Sequence, residues 1–272
     1  MKVALVTGIN KYKDDANNLQ GCVRDANNIF NILSTIYKFD DINIFVDDQV
    51  KVDTLPNYLK NSISLLSDGD EFVWYHSGHG TQVPDLHSDE TDATDEALVL
   101  HDSDWTSMYT DDLMCSSFAN FPKNAYCTLI FDTCFSGGMY KSKRKLRTVN
   151  PPKDLFKNYK SRKIVKKIGE QLPVNSIVFC ACQENQYSEE ILFNNEVEGA
   201  FTHYFMQCLD KNKLYYKNNE LCQKISSMLK KNQLSQSPLI FGNEKMKDRI
   251  FLGIEKQNFL RDLFSWFLDL FK

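Results

Sequence analysis

The 272-residue sequence predicts an α/β protein with a mostly parallel central sheet that is flanked by helices on both faces. Strand-like and helix-like segments alternate along the chain, which is typical of strand–helix–strand units. The strand-like runs are nearly continuous in apolar residues, as expected of strands that are covered on both faces. One α/β domain can accommodate this length, so a second domain is not required.

Six short apolar runs have the length and composition of buried strands. They are Val3–Val6, Ile42–Val46, Phe72–Tyr75, Ala97–Leu100, Tyr126–Phe131 and Ser176–Ala181. The segments with helical patterning are Cys22–Tyr37, Leu55–Leu66, Thr110–Phe118, Ala200–Leu209 and Asn219–Lys230. Ligands of such sheets bind beyond the carboxyl ends of the strands, so the residues after Tyr75 and Phe131 are the first candidates for a functional site.

The composition excludes several classes of protein. Hydrophobic residues make up 42% of the chain and charged residues 25%, which is close to the globular average and excludes a disordered or collagenous protein. No signal peptide and no apolar run of about 18 residues is visible, so we expect a cytoplasmic protein without a transmembrane helix. The eight cysteines are expected to be reduced, and without a CxxC pair they predict no zinc site.

The charge is distributed unevenly along the chain. The net charge of −4 indicates that the protein has no nucleic-acid partner. Residues 141–167, however, contain 12 Lys or Arg and one acid, Asp154. The rest of the chain holds 20 basic and 35 acidic residues. The Pro151-Pro152 pair favours an extended chain, so the sequence predicts an exposed basic linker. A loop charged for solubility and a nucleic-acid patch are the alternatives, although no aromatic-interleaved fold surrounds it.

Two of the predicted strands end in unusual, glycine-rich sequences. They are WYHSGHG at 74–80 and FDTCFSGG at 131–138, and they place an imidazole and a thiol at the same edge of a parallel sheet. A thiol becomes a good nucleophile when a base or an electropositive setting yields the thiolate. An imidazole suits that task and can later protonate the leaving amine. The backbone N–H groups of Gly80 and Cys134 can hold the oxyanion of a tetrahedral intermediate.

Taken alone, Cys134 is most simply a core residue and His79 a hydrogen-bonded structural histidine. Two such strand ends together, 55 residues apart, favour a catalytic pair instead. A cysteine phosphatase would need Arg six residues after its nucleophile, where this chain has Tyr140. The phosphate-binding P-loop pattern is also missing from the sequence.

Six sequence blocks resemble the metacaspase-type members of the caspase-like cysteine peptidases. The blocks are VALVTGIN at 3–10, LQGCVRDA at 19–26, YHSGHG at 75–80, DTCFSG at 132–137, SQSPLIFG at 235–242 and DRIFL at 248–252. The last two resemble the final strands of bacterial and related members. The spacing of the imidazole and the thiol also resembles the caspase signature, in which His precedes Cys by about 50 residues. The resemblance implies a caspase-like fold over most of the chain.

The resemblance implies that His79 is the general base and Cys134 the nucleophile. His76 is the competing base, but the family usually has an aromatic residue at that position, so we interpret His76 as structural. Phe135 is a departure, since the family usually has His there. It is expected to leave the two catalytic roles unchanged.

The resemblance also implies a substrate pocket built from Cys22, Asp25, Ser77 and Asp132. Two carboxylates that face one pocket favour a substrate with Lys or Arg as the residue before the cleaved bond. Caspases proper cut after Asp and carry Gln at the position of Asp132. The simpler interpretations are an acid on a helix surface for Asp25 and a strand-end cap for Asp132.

An acidic run between the two motifs suggests a cation site. Its members are Asp85, Asp89, Glu90, Asp92, Asp95, Glu96, Asp111 and Asp112. Dense carboxylates suit Ca²⁺, although the EF-hand spacing is missing. The resemblance implies activating calcium at Asp95, Asp111 and Asp112, whereas the family's further acidic ligand after the cysteine motif is not found, since 138–141 reads GMYK. A solvated acidic loop is the alternative.

We therefore predict a cysteine endopeptidase that cuts protein or peptide substrates after Arg or Lys. It is predicted to be a monomer that is stimulated by calcium and processes itself between Lys141 and Lys167. The alternative is a catalytically silent caspase-like regulator or scaffold. The predicted divisions are a large half at 1–140, the basic linker at 141–172, a small half at 173–254 and an amphipathic helix at 255–272. This last helix is expected to dock on the domain, with membrane contact as the alternative.

Overall fold

A computed structural model describes residues 1–84, 94–134, 144–152, 154–155, 172–183, 186–209 and 215–253. Its strands are β1 (Lys2–Gly8), β2 (Asp41–Val46), β3 (Glu71–Ser77), β4 (His79–Pro84), β5 (Thr94–Val99), β6 (Tyr109–Thr110), β7 (Tyr126–Asp132), β8 (Ser176–Cys180), β9 (Glu190–Phe193), β10 (Glu196–Gly199) and β11 (Leu239–Gly242). Its α-helices are α1 (Cys22–Thr35), α2 (Leu55–Ser64), α3 (Asp111–Ser117), α4 (Ala200–Cys208), α5 (Asn218–Lys231) and α6 (Glu244–Asp248).

The main sheet has six strands in the order β11-β8-β7-β3-β1-β2. All neighbouring strands are parallel except β11, which pairs with β8 in the antiparallel direction. The mostly parallel sheet predicted from the sequence is therefore confirmed. The strand order places β1, β3 and β7 side by side, so their carboxyl ends meet at one edge.

Helices cover both faces of this sheet, because its strands carry apolar side chains in both directions. Val3 and Leu5 belong to the cluster that includes residues of α2 and α3. Ala4 and Val6, which point the other way, belong to the cluster that includes residues of α1, α4 and α5. The prediction of helices on both faces is confirmed.

Two small antiparallel sheets lie outside the main sheet. The predicted strand Ala97–Leu100 falls largely in β5, which joins β4 and β6 in a three-stranded sheet rather than the main one. β9 and β10 form a hairpin whose turn residues, Asn194 and Asn195, have φ of 50° and 63°. Asparagine tolerates this left-handed conformation, which tight hairpins require. β10 then leads directly into α4.

One strand expected from the sequence resemblance is wrong. Asp248 ends α6, Ile250 makes only a single antiparallel bridge with Lys217, and Phe251 and Leu252 belong to a 3₁₀ turn at Phe251–Gly253. The Phe251 ring contacts the rings of Tyr37, Phe179 and Phe205 at centroid distances of 5.6, 5.8 and 5.5 Å. The Phe251 side chain is buried and belongs to the hydrophobic core at this turn.

Within the described ranges, the structure contains no helix that is long and apolar enough to cross a membrane. The predicted helix at 255–272 lies outside the described residues, as does most of the predicted linker at 141–172.

A half-buried ion pair connects the end of the described chain to β3. The guanidinium of Arg249 donates two hydrogen bonds to the carboxylate of Glu71, at 3.1 and 2.6 Å. It also lies 3.8 Å from the centroid of the Tyr126 ring. A planar guanidinium satisfies both contacts at once, which an ammonium group does not.

Replacing Arg249 with Gln is expected to lower the free energy of unfolding by about 1–3 kcal/mol, because the Glu71 carboxylate loses both donors. Urea unfolding followed by circular dichroism measures the change. Lys217, whose pair with Asp248 is exposed, provides the matched control. Lys217→Gln is expected to change stability by less than about 0.5 kcal/mol, and equal losses in the two variants would contradict this assignment.

Candidate active site

The two glycine-rich motifs follow neighbouring strands of the main sheet. In the pairing register Gly8 lies beside Ser77, and Ser77 lies beside Asp132. His79 begins β4 just after Ser77, and Cys134 lies two residues beyond the end of β7. The imidazole and the thiol therefore follow adjacent strand ends, as the sequence pattern predicts.

The start of α1 adds two more of the predicted residues to this edge. The side chain of Asn10 caps the helix, because its Oδ1 accepts the N–H groups of Cys22 (2.8 Å) and Val23 (3.3 Å). A Cβ on Gly8 would lie 2.5 Å from the carbonyl oxygen of Cys22, so only glycine allows this close approach. Cys22 and Asp25 consequently lie in the first turn of the helix, facing the strand ends.

These side chains surround the guanidinium of Arg147, which is completely buried. Its Nη2 lies 2.7 Å from the Asp25 carboxylate and 3.6 Å from that of Glu190. Its Nη1 lies 3.0 Å from the Asp132 carboxylate and donates to Ser77 Oγ at 2.8 Å. Three of the four residues predicted to form a substrate pocket thus contact an arginine of the chain itself. This burial corrects the prediction of an exposed linker at Arg147.

Cys22, the fourth predicted pocket residue, is also fully buried. Burial raises the pKa of its thiol, whereas the positive charge of Arg147 opposes that rise. The Cys22 thiol is therefore neutral, and this small side chain forms part of the pocket wall.

Sequence reasoning missed several residues that complete the pocket. Ser188 Oγ donates to Asp132 Oδ1 at 2.6 Å, and Thr202 donates its hydroxyl to Oδ2 at 2.6 Å. The N–H of Gly199 lies 3.1 Å from the carboxylate oxygens of Asp25. A Cβ at Gly199 would overlap both the Asp132 carboxylate and the guanidinium. These positions lie in β10, α4 and the chain before β9, where no sequence motif marks them.

Glu190, at the start of β9, links the pocket to α1. Its Oε1 accepts the N–H of Gly21 at 2.6 Å, and the N–H of Gln20 lies 3.1 Å from the same atom. The residue thus holds the chain that leads into the helix while its carboxylate faces Arg147.

Three carboxylates in one dry pocket are unfavourable without a cation. Burial raises the pKa of Asp25 to about 6, and the positive charge of Arg147 opposes this rise, whereas the charge of Asp132 adds to it. A basic side chain is therefore the chemical complement of the pocket, and Arg147 meets that need in this structure.

The carbonyl oxygen of Arg147 lies between the two backbone donors that the sequence analysis singled out. The N–H of Gly80 donates to it at 3.1 Å, and the N–H of Cys134 donates to it at 3.2 Å. Paired N–H groups of this kind are what an oxyanion requires. The structure therefore brings together the carbonyl of the residue in the acidic pocket and the backbone of the predicted nucleophile.

The imidazole of His79 is oriented by the loop after β1. Its Nε2 lies 2.7 Å from the carbonyl oxygen of Asn17, and its backbone N–H donates to the hydroxyl of Tyr12 at 2.8 Å. A carbonyl only accepts, so Nε2 carries the proton and Nδ1 holds the lone pair of the neutral ring. Burial lowers the pKa of His79 to about 4, while the bond to Asn17 opposes that shift. The ring is thus neutral, with its lone pair on Nδ1.

The thiol of Cys134 donates to the carbonyl oxygen of Gln186 at 3.1 Å. The thiol of Cys182 lies 3.5 Å from the same oxygen. A hydrogen bond with Cys134, together with burial, raises the pKa of Cys182 well above that of an ordinary thiol. Cys182 therefore stays protonated beside the predicted nucleophile.

Comparison with known proteins identifies the family to which this arrangement belongs. A family model described as the caspase domain matches residues 1–248. The chain belongs to the caspase-domain family. The resemblance inferred from the sequence blocks is thereby confirmed.

The curated relatives of this caspase-domain chain include several named Metacaspase-1. That of Candida glabrata is 35% identical over 167 residues, 56% of this chain and 42% of the relative. That of Saccharomyces cerevisiae S288c is 37% identical over 143 residues, 49% of this chain and 33% of the relative. That of Meyerozyma guilliermondii is 28% identical over 253 residues, 76% of this chain and 62% of the relative. The chain thus spans between a third and two thirds of these relatives.

Two solved structures show the same fold. A Geobacter sulfurreducens protein has a TM-score of 0.70 at 21% identity and covers 94% of this chain and 99% of its own. Caspase-1 from Spodoptera frugiperda has a TM-score of 0.55 at 12% identity and covers 89% of this chain and 86% of its own. The predicted caspase-like fold is confirmed.

His76, the competing imidazole of this caspase-domain chain, lies fully buried within β3. Its Nδ1 is 2.9 Å from the hydroxyl oxygen of Thr7, which also accepts the indole N–H of Trp74 at 3.2 Å. Burial, assisted by the charge of Arg147, lowers the pKa of His76 to about 3. These contacts favour the structural interpretation of this residue.

The three acids predicted to hold calcium lie at the edge of the small three-stranded sheet. Asp95 is in β5, and Asp111 and Asp112 begin α3 directly after β6, which pairs with β5. Asp95 and Asp111 are buried. Within the described ranges, no group of three or more His, Cys, Asp or Glu side chains could hold a metal ion. Asp85, Asp89, Glu90 and Asp92 lie outside the described residues, so calcium binding stays a prediction.

The buried His76 predicts a pH-dependent loss of stability. Its pKa is about 3 in the folded chain and near 6.5 when unfolded, so below pH 6.5 only the unfolded chain takes up this proton. The residue therefore destabilises the fold by about 1.4 kcal/mol for each pH unit below 6.5. We expect His76→Phe to gain about 2–3 kcal/mol relative to the native chain when the pH falls from 7.5 to 4.5.

Urea unfolding of both proteins at the two pH values measures this gain. The contributions of His79 and Asp25 are present in both proteins and cancel in the difference. A difference in unfolding free energy that is independent of pH would show that the pKa of His76 is the same in the folded and the unfolded chain.

Proposed function

We propose that this chain is a cysteine endopeptidase that cleaves after Arg, with Cys134 as nucleophile and His79 as general base. Its first substrate is its own Arg147–Thr148 bond. The observation that carries the proposal is the position of Arg147, whose side chain lies in the acidic pocket while its carbonyl oxygen meets the N–H groups of Gly80 and Cys134.

The chain around this bond has the extended form of a bound peptide. The N–H of Arg147 donates to the carbonyl of Ser188 at 3.0 Å. Beyond the bond, the N–H of Val149 donates to the carbonyl of Gly80 at 3.3 Å, and its carbonyl accepts the Thr81 hydroxyl at 2.7 Å. Backbone bonding on both sides of a susceptible bond is the pattern of β-strand addition, so the segment is held as a substrate would be.

The proposed reaction uses the groups already described. Nδ1 of His79 takes the proton of the Cys134 thiol, and the thiolate attacks the carbonyl carbon of Arg147. The N–H groups of Gly80 and Cys134 stabilise the oxyanion. The imidazolium then protonates the departing amine of Thr148, the C–N bond breaks, and an acyl-enzyme remains. Water, activated by the neutral imidazole, releases the new carboxyl terminus.

The pocket geometry supports a preference for Arg over Lys before the cleaved bond. Nη1 of Arg147 faces Asp132 and Ser77, while Nη2 faces Asp25 and Glu190. A guanidinium reaches both groups through two separate nitrogens, whereas an ammonium offers one point of charge. Lys is expected to bind in the same pocket with fewer of these bonds.

Incubation of the purified chain is expected to yield a new N-terminus at Thr148, detected by intact-mass analysis and N-terminal sequencing. Cys134→Ala abolishes the cut because the nucleophile is removed. Arg147→Lys slows it by about 10-fold or more, and Arg147→Ala abolishes it at this bond.

Lys145→Ala is the matched control, since Lys145 is basic but exposed and lies two residues before Arg147. It is expected to leave the site of cleavage unchanged. If the chain stays intact, and a fluorogenic peptide ending in Arg is not hydrolysed under the same conditions, the catalytically silent regulator becomes the better description.

We propose that calcium stimulates this cleavage by binding at the acidic edge that includes Asp95, Asp111 and Asp112. Because these three described acids do not form a metal-binding group by themselves, the proposed site requires ligands in addition to them. Support comes from the pairing of Ala97 in β5 with Thr110 in β6, since Asp95 lies two residues before Ala97 and Asp111 directly follows Thr110. Carboxylate oxygens are the ligands that Ca²⁺ favours. Bound there, the ion would offset the charge of these acids and hold β5 and α3 together.

Chelation is therefore expected to slow the cut at Arg147 by about 10-fold or more, and isothermal titration should detect Ca²⁺ binding. Asp112→Asn should weaken both effects. Asp104→Asn is the control, because Asp104 is an exposed acid between β5 and β6 whose carboxylate binds Thr106. Equal cleavage with Ca²⁺ and with chelator, without binding heat, would contradict this part of the proposal.

A further inference from the structure

A second arginine of the same segment, Arg144, also contacts a carboxylate. Its Nη1 lies 2.8 Å from Oε2 of Glu189. We propose that the peptidase selects segments of the form Arg-Xaa-Xaa-Arg, and that Glu189 recognises the first of the two arginines. This inference rests on the proposed function, because it extends the recognition of Arg147 by three residues.

The backbone pairing of the segment places the two arginines on different carboxylates. Residues 145–147 run antiparallel to 188–190, with Leu146 bridged to Glu189. The N–H of Glu190 donates to the carbonyl of Lys145 at 2.9 Å. Side chains alternate along each strand, so Glu189 and Glu190 face opposite sides. Glu190 faces Arg147, and Glu189 faces the side of Leu146 and Arg144.

Glu189 is held firmly in place for this role. Its N–H donates to the side-chain oxygen of Gln236 at 3.1 Å, and its carbonyl accepts the N–H of Ala200 at 2.9 Å. Its side chain is only 6% exposed, whereas that of Arg144 is 44% exposed. A nearly buried carboxylate that meets a solvent-accessible guanidinium is a fixed acceptor for an incoming basic side chain.

An ion pair between Arg144 and Glu189 that only anchored the linker to the domain would look the same within the chain. Such an anchor would not affect the cleavage rate of a separate peptide. The discriminating measurement is therefore made in trans on short peptides. Ac-Arg-Lys-Leu-Arg and Ac-Ala-Lys-Leu-Arg fluorogenic amides differ only at the position of Arg144. The ratio of their kcat/KM values reports recognition at that position alone.

The native chain is expected to prefer the Arg peptide by roughly 5- to 20-fold, the range for a charged hydrogen bond with one partly solvated partner. Glu189→Gln should lower the ratio to about one. Glu244→Gln, which alters an exposed acid of α6, should keep the native ratio. Glu189→Lys should shift the preference towards Ac-Glu-Lys-Leu-Arg amide, since the charge at the subsite is reversed.

Two outcomes overturn the inference and leave the proposed function standing. In one, the native chain cleaves both peptides equally well. In the other, Glu189→Gln keeps the native ratio, which means that a different group recognises the first arginine. If neither peptide is cleaved and the chain also stays intact at Arg147, the proposed function itself fails. Circular dichroism of each variant confirms that the fold is retained.

Discussion

The buried guanidinium of Arg147 is the interaction on which the rest of the site depends. The carboxylates of Asp25, Asp132 and Glu190 converge there from α1, β7 and β9, three separate parts of the chain. Their mutual repulsion in a dry environment would oppose the close packing of these elements. A single planar cation relieves that repulsion, and its position places its own carbonyl at the backbone donors of the two motifs.

Much of this arrangement was predictable from residues that carry strong local signals. The apolar runs of β1, β3 and β7, together with the glycine-rich sequences after β3 and β7, indicated a parallel sheet with an imidazole and a thiol at one edge. Asp25 and Asp132 lie in recognisable blocks, so their shared pocket could be anticipated. The three-stranded sheet was harder to foresee, because β4 begins inside the histidine motif and β6 has only two residues.

The remaining residues of the site carry no signal in one sequence. Glu190 and Ser188 act through long-range contacts, and Asn17 contributes only a backbone carbonyl. Gly199 is required because of what surrounds it, which is unknown until the chain has folded. Arg147 is one of 12 basic residues in its segment, and composition alone does not distinguish it from the others.

The six-stranded sheet has a consequence for a chain that has been cut after Arg147. β8 lies between β7 and β11, so the parts on either side of the cut share one hydrogen-bonded sheet and one core. Severing the peptide link removes no strand from that sheet. The two pieces would therefore stay together as one folded protein. The peptide bond would be broken irreversibly, but the pieces would not dissociate. The cut changes how Arg147 is held. Arg147 becomes a chain end that can leave the acidic pocket, and the pocket then becomes accessible to another basic side chain.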